Sequence, residues 1–174
     1  MQLSSGKYVA SFIVGPSGEL IPNELSPQTL DSGKVAIVID EPSKRIYLWM
    51  GKGSSLNNKM GARRIVKSIP IFGLKKEGAE FPLGRECKII EIEEALVASD
   101  NTTRINMEEF ETLLKKPHTR TGAGISRLEE VSPPAKGETS SEAKILERRM
   151  QYEMSHLERE TIGKRKKGKE EKNS

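Results

Sequence analysis

The sequence predicts an α/β (α+β) domain over residues 1–116, followed by chain that builds no core of its own. Three observations predict it. All the aromatic residues but Tyr152 precede residue 116, namely Tyr8, Phe12, Tyr47, Trp49, Phe72, Phe81 and Phe110, so the core is N-terminal. The continuous apolar, β-branched run Val35–Ile39 has the composition of a strand covered on both faces, and Ile46–Met50 is a second apolar run. Residues 56–69 and 106–116 instead repeat their apolar residues with the period of a helix.

Each element has its own signal. In 7–14 the large side chains Tyr8, Phe12 and Val14 fall at even spacing, a strand closed by the turn formers Gly15, Pro16, Ser17 and Gly18. Pro22 and Pro27 mark 20–31 as an extended connection with one helical turn after Ser26. The two apolar runs, joined by Asp40–Lys44, read as a central antiparallel hairpin. Gly51, Gly53, Ser54 and Ser55 end it and supply a helix N-cap. On the helix 56–69 that follows, Ala62, Ile65, Val66 and Ile69 share the core face, while Leu56, Met60, Arg63, Arg64 and Lys67 share the opposite one. That outer face mixes large apolar residues with cations and admits two readings: chance exposure of Leu56 and Met60, or a docking surface with an apolar centre and a basic rim.

Residues 70–86 read as a loop folded over a sheet edge, anchored by Phe72 and Phe81. In 88–93 Ile89, Ile90 and Ile92 are interleaved with charge, which predicts a strand, and Met107, Phe110, Leu113 and Leu114 predict a short helix over 106–116 that stops before Pro117. Gly122, Gly124, Pro133, Pro134 and Gly137 give 117–139 the composition of a disordered linker. Thr139 and Glu142, in capping-box spacing, open a predicted charged amphipathic helix over 140–162, whose seam is Leu146, Met150, Met154 and Leu157. Such a thin seam docks on a protein partner, self-associates, or leaves a charged single helix. Residues 163–174 form a disordered basic tail.

Charge and composition exclude more than they assign. Of the 174 residues 31% are charged, above the usual level of about 25%. Residues 1–116 carry 16 cations against 15 anions, whereas 164–172 alone carries six against two, so the net +4 mostly reports the tail. Specific nucleic-acid binding is therefore not expected. Lys164, Arg165, Lys166, Lys167 and Lys169 would give at most weak contact with acidic lipid, or serve solubility. A lone cysteine, Cys87, excludes an internal disulfide, and two distant histidines, His118 and His156, supply no metal cluster. There is no phosphate loop, because Ile46 stands where its first glycine is needed, and no calcium EF-hand, because Ala98 and Thr103 stand at two required positions. Gly122 and Gly124 follow no strand signal and support no dinucleotide site, and no nucleophile–base pair is credible. The expectation is a soluble, cytoplasmic protein that is not an enzyme and uses no cofactor.

One stretch is more specific. LDSGKVAIVID (Leu30–Asp40), RIYLWMGKGSS (Arg45–Ser55) and NKMGARRIVKSI (Asn58–Ile69) together resemble the central hairpin and long helix of a gelsolin-homology domain. The resemblance is carried by Ser32 and Gly33, by Ile46, Tyr47 and Trp49, by the Gly51–Ser55 turn, and by Lys59 and Ala62. It implies a mixed sheet of about five strands between one long and one short helix, in a single-domain form. It also implies an actin- or actin-homologue-binding protein that regulates filament assembly through its long helix, here Leu56, Met60, Arg63, Arg64 and Lys67. Many such domains hold calcium through an acidic residue after the glycine and a Glu early on the long helix. Those positions hold Lys34 and Asn58, so calcium binding is not expected there. The alternative function is a non-enzymatic scaffold or adaptor that uses the same fold and the C-terminal helix for protein assembly.

Overall fold

The computed structural model describes residues 8–77, 79, 81–129 and 145–154. Seven strands and two helices make up the first compact unit, which ends at Pro133. The strands are β1 (Tyr8–Val14), β2 (Leu20–Pro22), β3 (Val35–Asp40), β4 (Arg45–Met50), β5 (Lys88–Glu93), β6 (His118–Gly122) and β7 (Ile125–Leu128), and the helices are α1 (Leu56–Phe72) and α2 (Asn101–Leu114). A 3-10 turn at Pro27–Thr29 follows Ser26.

The sheet runs β5-β4-β3-β1-β7-β6, with β2 beside the second half of β1. It is mixed: β4 and β5 are parallel, every other pair antiparallel. Parallel strands need a long crossover, and α1 is carried by the one between β4 and β5. All six residues of β3 are buried, because the period-2 alternation sends Val35, Ile37 and Ile39 to one covered face and Ala36 and Val38 to the other. The first face joins Ile46, Leu48 and Met50 to Ala62, Val66 and Ile69 of α1. The second joins Tyr47, Trp49, Ile90 and Ile92 to Phe110, Leu113 and Leu114 of α2, with the Tyr47 and Phe110 rings stacked at 4.9 Å. Arg45 Nη1 meets Glu109 Oε2 at 2.7 Å and ties α2 to β4.

Three expectations need correction. Residues 118–122 and 125–128 are strands, not linker: Gly124 turns between them at φ 74°, and the buried Ile125 joins the α1-side core. The pairing partner of β7 is β1, more than a hundred residues upstream, so no local apolar pattern announced it. The sheet therefore has seven strands rather than about five. Second, α1 continues through Pro70 to Phe72. A proline there removes the bond to the Val66 carbonyl and crowds that oxygen, but it stands in the last turn, which is closed by the Gly73 N–H on the Ile69 carbonyl (2.7 Å) and the Glu86 N–H on the Pro70 carbonyl (3.0 Å). Third, Phe72 is exposed and anchors nothing, whereas Phe81 does pack, its ring edge-on to Tyr8 at 6.0 Å. α2 also starts earlier than its apolar pattern, because Asp100 caps it by accepting the Thr103 N–H at 2.6 Å.

The end of β4 is fixed by backbone contact. Gly51 donates to the Lys34 carbonyl (3.0 Å), Gly53 to the Ser32 carbonyl (2.8 Å), and Trp49 Nε1–H to the Asp31 carbonyl (3.0 Å). Glu94 completes the clasp, accepting from the Ser32 hydroxyl at 2.6 Å and the Lys52 N–H at 2.8 Å. Desolvation raises its carboxyl, but these two donors outweigh it and hold the group below its ordinary value. A Cβ on Gly51 would stand 2.2 Å from the Ser32 oxygen, so only glycine fits. Gly51→Ala is expected to cost about 2–3 kcal/mol by forcing the two turns apart, read as a lower urea midpoint at unchanged m-value; an unchanged midpoint would show that the clasp is loose.

Candidate functional site

α1 begins where the clasp ends. Ser54 Oγ–H donates to the Gly51 carbonyl (2.7 Å), and Ser55 caps the helix by accepting the Asn58 N–H at 3.2 Å. Ala62, Val66 and Ile69 then point into the core. One flank of the helix lies over β5, whose Glu91 and Glu93 stand on the α1 side of the sheet, opposite the buried Ile90 and Ile92. Arg63 Nε reaches Glu91 at 2.9 Å and Lys59 Nζ reaches Glu93 at 3.5 Å.

The remaining face is open. Leu56 is 67% exposed and Met60 46%, with Arg64 and Lys67 exposed alongside them. Four of the five residues expected on the outer face therefore share it. Arg63 does not: a projection by angle alone cannot tell which flank of a helix meets an acidic edge strand, and Glu91 draws Arg63 down to the sheet. One residue of the face was missed: Ile71, 65% exposed on the last turn past Pro70, and beside it at the helix end stands Phe72, 73% exposed and about 100° further round the axis. The signal for them was Gly73, a helix-terminating glycine three residues beyond the proline.

α1 contains no carboxylate. Of its four cations, Lys59 and Arg63 are matched by β5, while Arg64 and Lys67 have no ion-pair partner among the described residues. The open face is thus a positive strip with large apolar side chains at both ends. Such a surface is suited to docking an apolar and acidic protein surface, with apolar contact supplying affinity and charge steering the encounter.

The two positions read against calcium bear cation and amide chemistry in place. Lys34 Nζ pairs with Asp31 Oδ2 at 3.2 Å, which already neutralises the nearby carboxylate, and Asn58 sits in the capped first turn of α1. This donor set does not fit a hard cation that needs several oxygen ligands. No group of three or more His, Cys, Asp or Glu that could hold a metal occurs among the described residues. A shallow cleft between the Gly15–Gly18 turn and Asn57, Asn58 and Gly61 carries no titratable side chain, so it provides no general acid or base.

Residues 145–154 belong to the second unit and are helical, with Leu146, Met150 and Met154 exposed. Leu157, the Thr139–Glu142 box and the tail residues Lys164, Arg165, Lys166, Lys167 and Lys169 lie outside the described residues. No helix among the described residues is long and apolar enough to cross a membrane.

Cys87 is buried in the α1-side core, and desolvation, reinforced by the charge of Glu41, raises its thiol to about 11. The group is a neutral thiol at physiological pH, unsuited to nucleophilic work. Thiol reagents at pH 8 should label it only after denaturation; rapid labelling of the native protein would contradict its burial.

No protein-family model matches this chain, and no curated protein matches it. Among solved structures it is similar to Thorarchaeota ProGel, crystallised in complex with rabbit actin, at 23% identity and a TM-score of 0.41 over 57% of this chain and 97% of that one. It is also similar to Thorarchaeota 2DGel3, likewise crystallised with rabbit actin, at 16% identity and a TM-score of 0.36 over 55% of this chain and 43% of that one.

Proposed function

We propose that this chain is a gelsolin-homology protein that binds actin or an actin homologue through α1 and thereby alters filament assembly, without needing calcium. The observation that carries the reading is the open face of α1: Leu56, Met60, Arg64 and Lys67 stand in solvent on a helix whose other sides are fixed by core and β5. The residues that gave the family resemblance are the same ones that position this helix, since Ser32, Gly51, Gly53 and Ser55 form the clasp and cap at its start. Affinity comes from burying Leu56 and Met60 in an apolar hollow of the partner. Arg64 and Lys67 then meet carboxylates at its rim.

Cosedimentation and polymerisation assays with actin of the same cell test this directly. Met60→Glu and Arg64→Glu should each weaken binding at least about tenfold, or about 1.4 kcal/mol, while leaving the urea midpoint nearly unchanged. Replacing calcium with a chelator should leave wild-type binding unaltered. Full binding by both variants would remove α1 from the interface.

A second reading, an adaptor, is favoured by the exposed Leu146, Met150 and Met154 on the helix at 145–154. Deleting 134–174 separates the two, because actin binding through α1 survives the deletion and adaptor binding through that helix does not.

A further inference from the structure

We infer that the α1 face is bipartite, with Ile71 and Phe72 forming a second apolar anchor beyond Pro70, so that the chain selects a protein surface with two apolar hollows separated by an acidic strip. This inference rests on the α1-docking reading and deepens it by describing the partner's surface.

Ile71 and Phe72 are held in solvent by a closed turn. The Gly73 N–H is bonded to the Ile69 carbonyl and the Pro70 carbonyl accepts from Glu86. Gly73, at φ 73°, packs so tightly on the next loop that a Cβ would stand 2.5 Å from that of Pro82. The last turn is thereby pinned to the loop with its two largest side chains outward. Single exposed apolar residues are common on protein surfaces, but four on one helix, two at each end, are a pattern.

The spacing defines what would fit. Ile71 lies eleven residues after Met60, about three turns and about 16 Å along the axis, and returns to nearly the same face, while Phe72, about 100° further round, widens the anchor at the end of the helix. Between them stand Arg64 and Lys67, the two cations of α1 that β5 does not match. The complementary surface is an apolar hollow, a strip of carboxylates, and a second hollow.

The same features decide against other occupants. A second copy docking face to face would bring Arg64 and Lys67 against their own counterparts, with no carboxylate on α1 to pair them. An anionic membrane is bound by clusters of about four to eight cations, and this face has two without an ion-pair partner among the described residues. An acidic protein groove remains.

The test uses the full chain with actin as the probe, comparing wild type, Met60→Glu, Ile71→Ser, Phe72→Ser and the conservative Ile71→Val, with urea midpoints for each. Ile71→Ser and Phe72→Ser should each weaken binding at least about fivefold at an unchanged midpoint, and Ile71→Val should stay within about twofold. If Met60→Glu weakens binding but both serine variants bind like wild type, the second anchor is wrong while the docking reading stands. If wild type fails to bind, or no variant changes binding, both fall. Parallel runs with phosphatidylserine vesicles and by sedimentation velocity cover the other occupants: vesicle binding or dimer formation that the serine variants abolish, with actin binding intact, overturns the proposal.

Discussion

At the end of β4 the backbone of Gly51 passes the Ser32 carbonyl at a distance that leaves no room for a side chain; the two turns share three hydrogen bonds across this contact, and Glu94 bridges them with two more. Much of the domain takes its setting from there. The β3–β4 pairing ends in register at Val35↔Met50, Trp49 is tethered through its indole, and the chain leaves the sheet in one direction. Ser54 and Ser55 then convert that direction into the first turn of α1. The far end of α1 is held by a matching device. Gly84, at φ 80°, lets its backbone lie against Ile69 and Ile39, and the buried Glu41 accepts its N–H. A helix fixed at both ends has a fixed rotation about its axis, and that rotation decides which side chains reach solvent.

With the rotation set, the charges of α1 divide by geometry. Glu91 and Glu93 alternate with Ile90 and Ile92 along β5, so the strand shows isoleucines to α2 and carboxylates to α1. Lys59 and Arg63 are used in holding the helix to this edge; as partly exposed pairs they contribute at most about 1 kcal/mol each. Their larger effect is to leave Arg64 and Lys67 as the charge that the outer face presents. A structural need and the proposed docking surface are thus served by neighbouring cations of one helix.

Elements whose partners are near in sequence were legible. β3, β4 and α1 follow one another with their own turn signals, and the buried arc Ala62, Val66 and Ile69 falls where helical periodicity puts it. What stayed hidden depended on distant contacts. His118–Gly122 is polar because it forms the sheet edge, Ile125–Leu128 behind it has only two apolar residues, and Gly124 marks close packing on β1, where its carbonyl accepts the Ser11 N–H at 2.7 Å. In composition such a turn is indistinguishable from linker. The site was legible as a face but not in its detail: the ion-pair partner of Arg63 lies 28 residues away on β5, and Ile71 and Phe72 were lost to Pro70, past which the last turn is held by hydrogen bonds from Gly73 and Glu86. Sequence periodicity describes one helix; the neighbours that select among its faces are supplied by the fold.

The central claim is that the open face of α1 is the surface that meets actin or its homologue. Hydrogen–deuterium exchange of the full chain, alone and saturated with actin, tests it most directly, since exchange is read along the whole backbone without altering a residue. The account predicts added protection across residues 56–73 and little change in α2 or the β6–β7 hairpin. Protection confined to those other elements or to 145–154, with α1 unaffected, would contradict it.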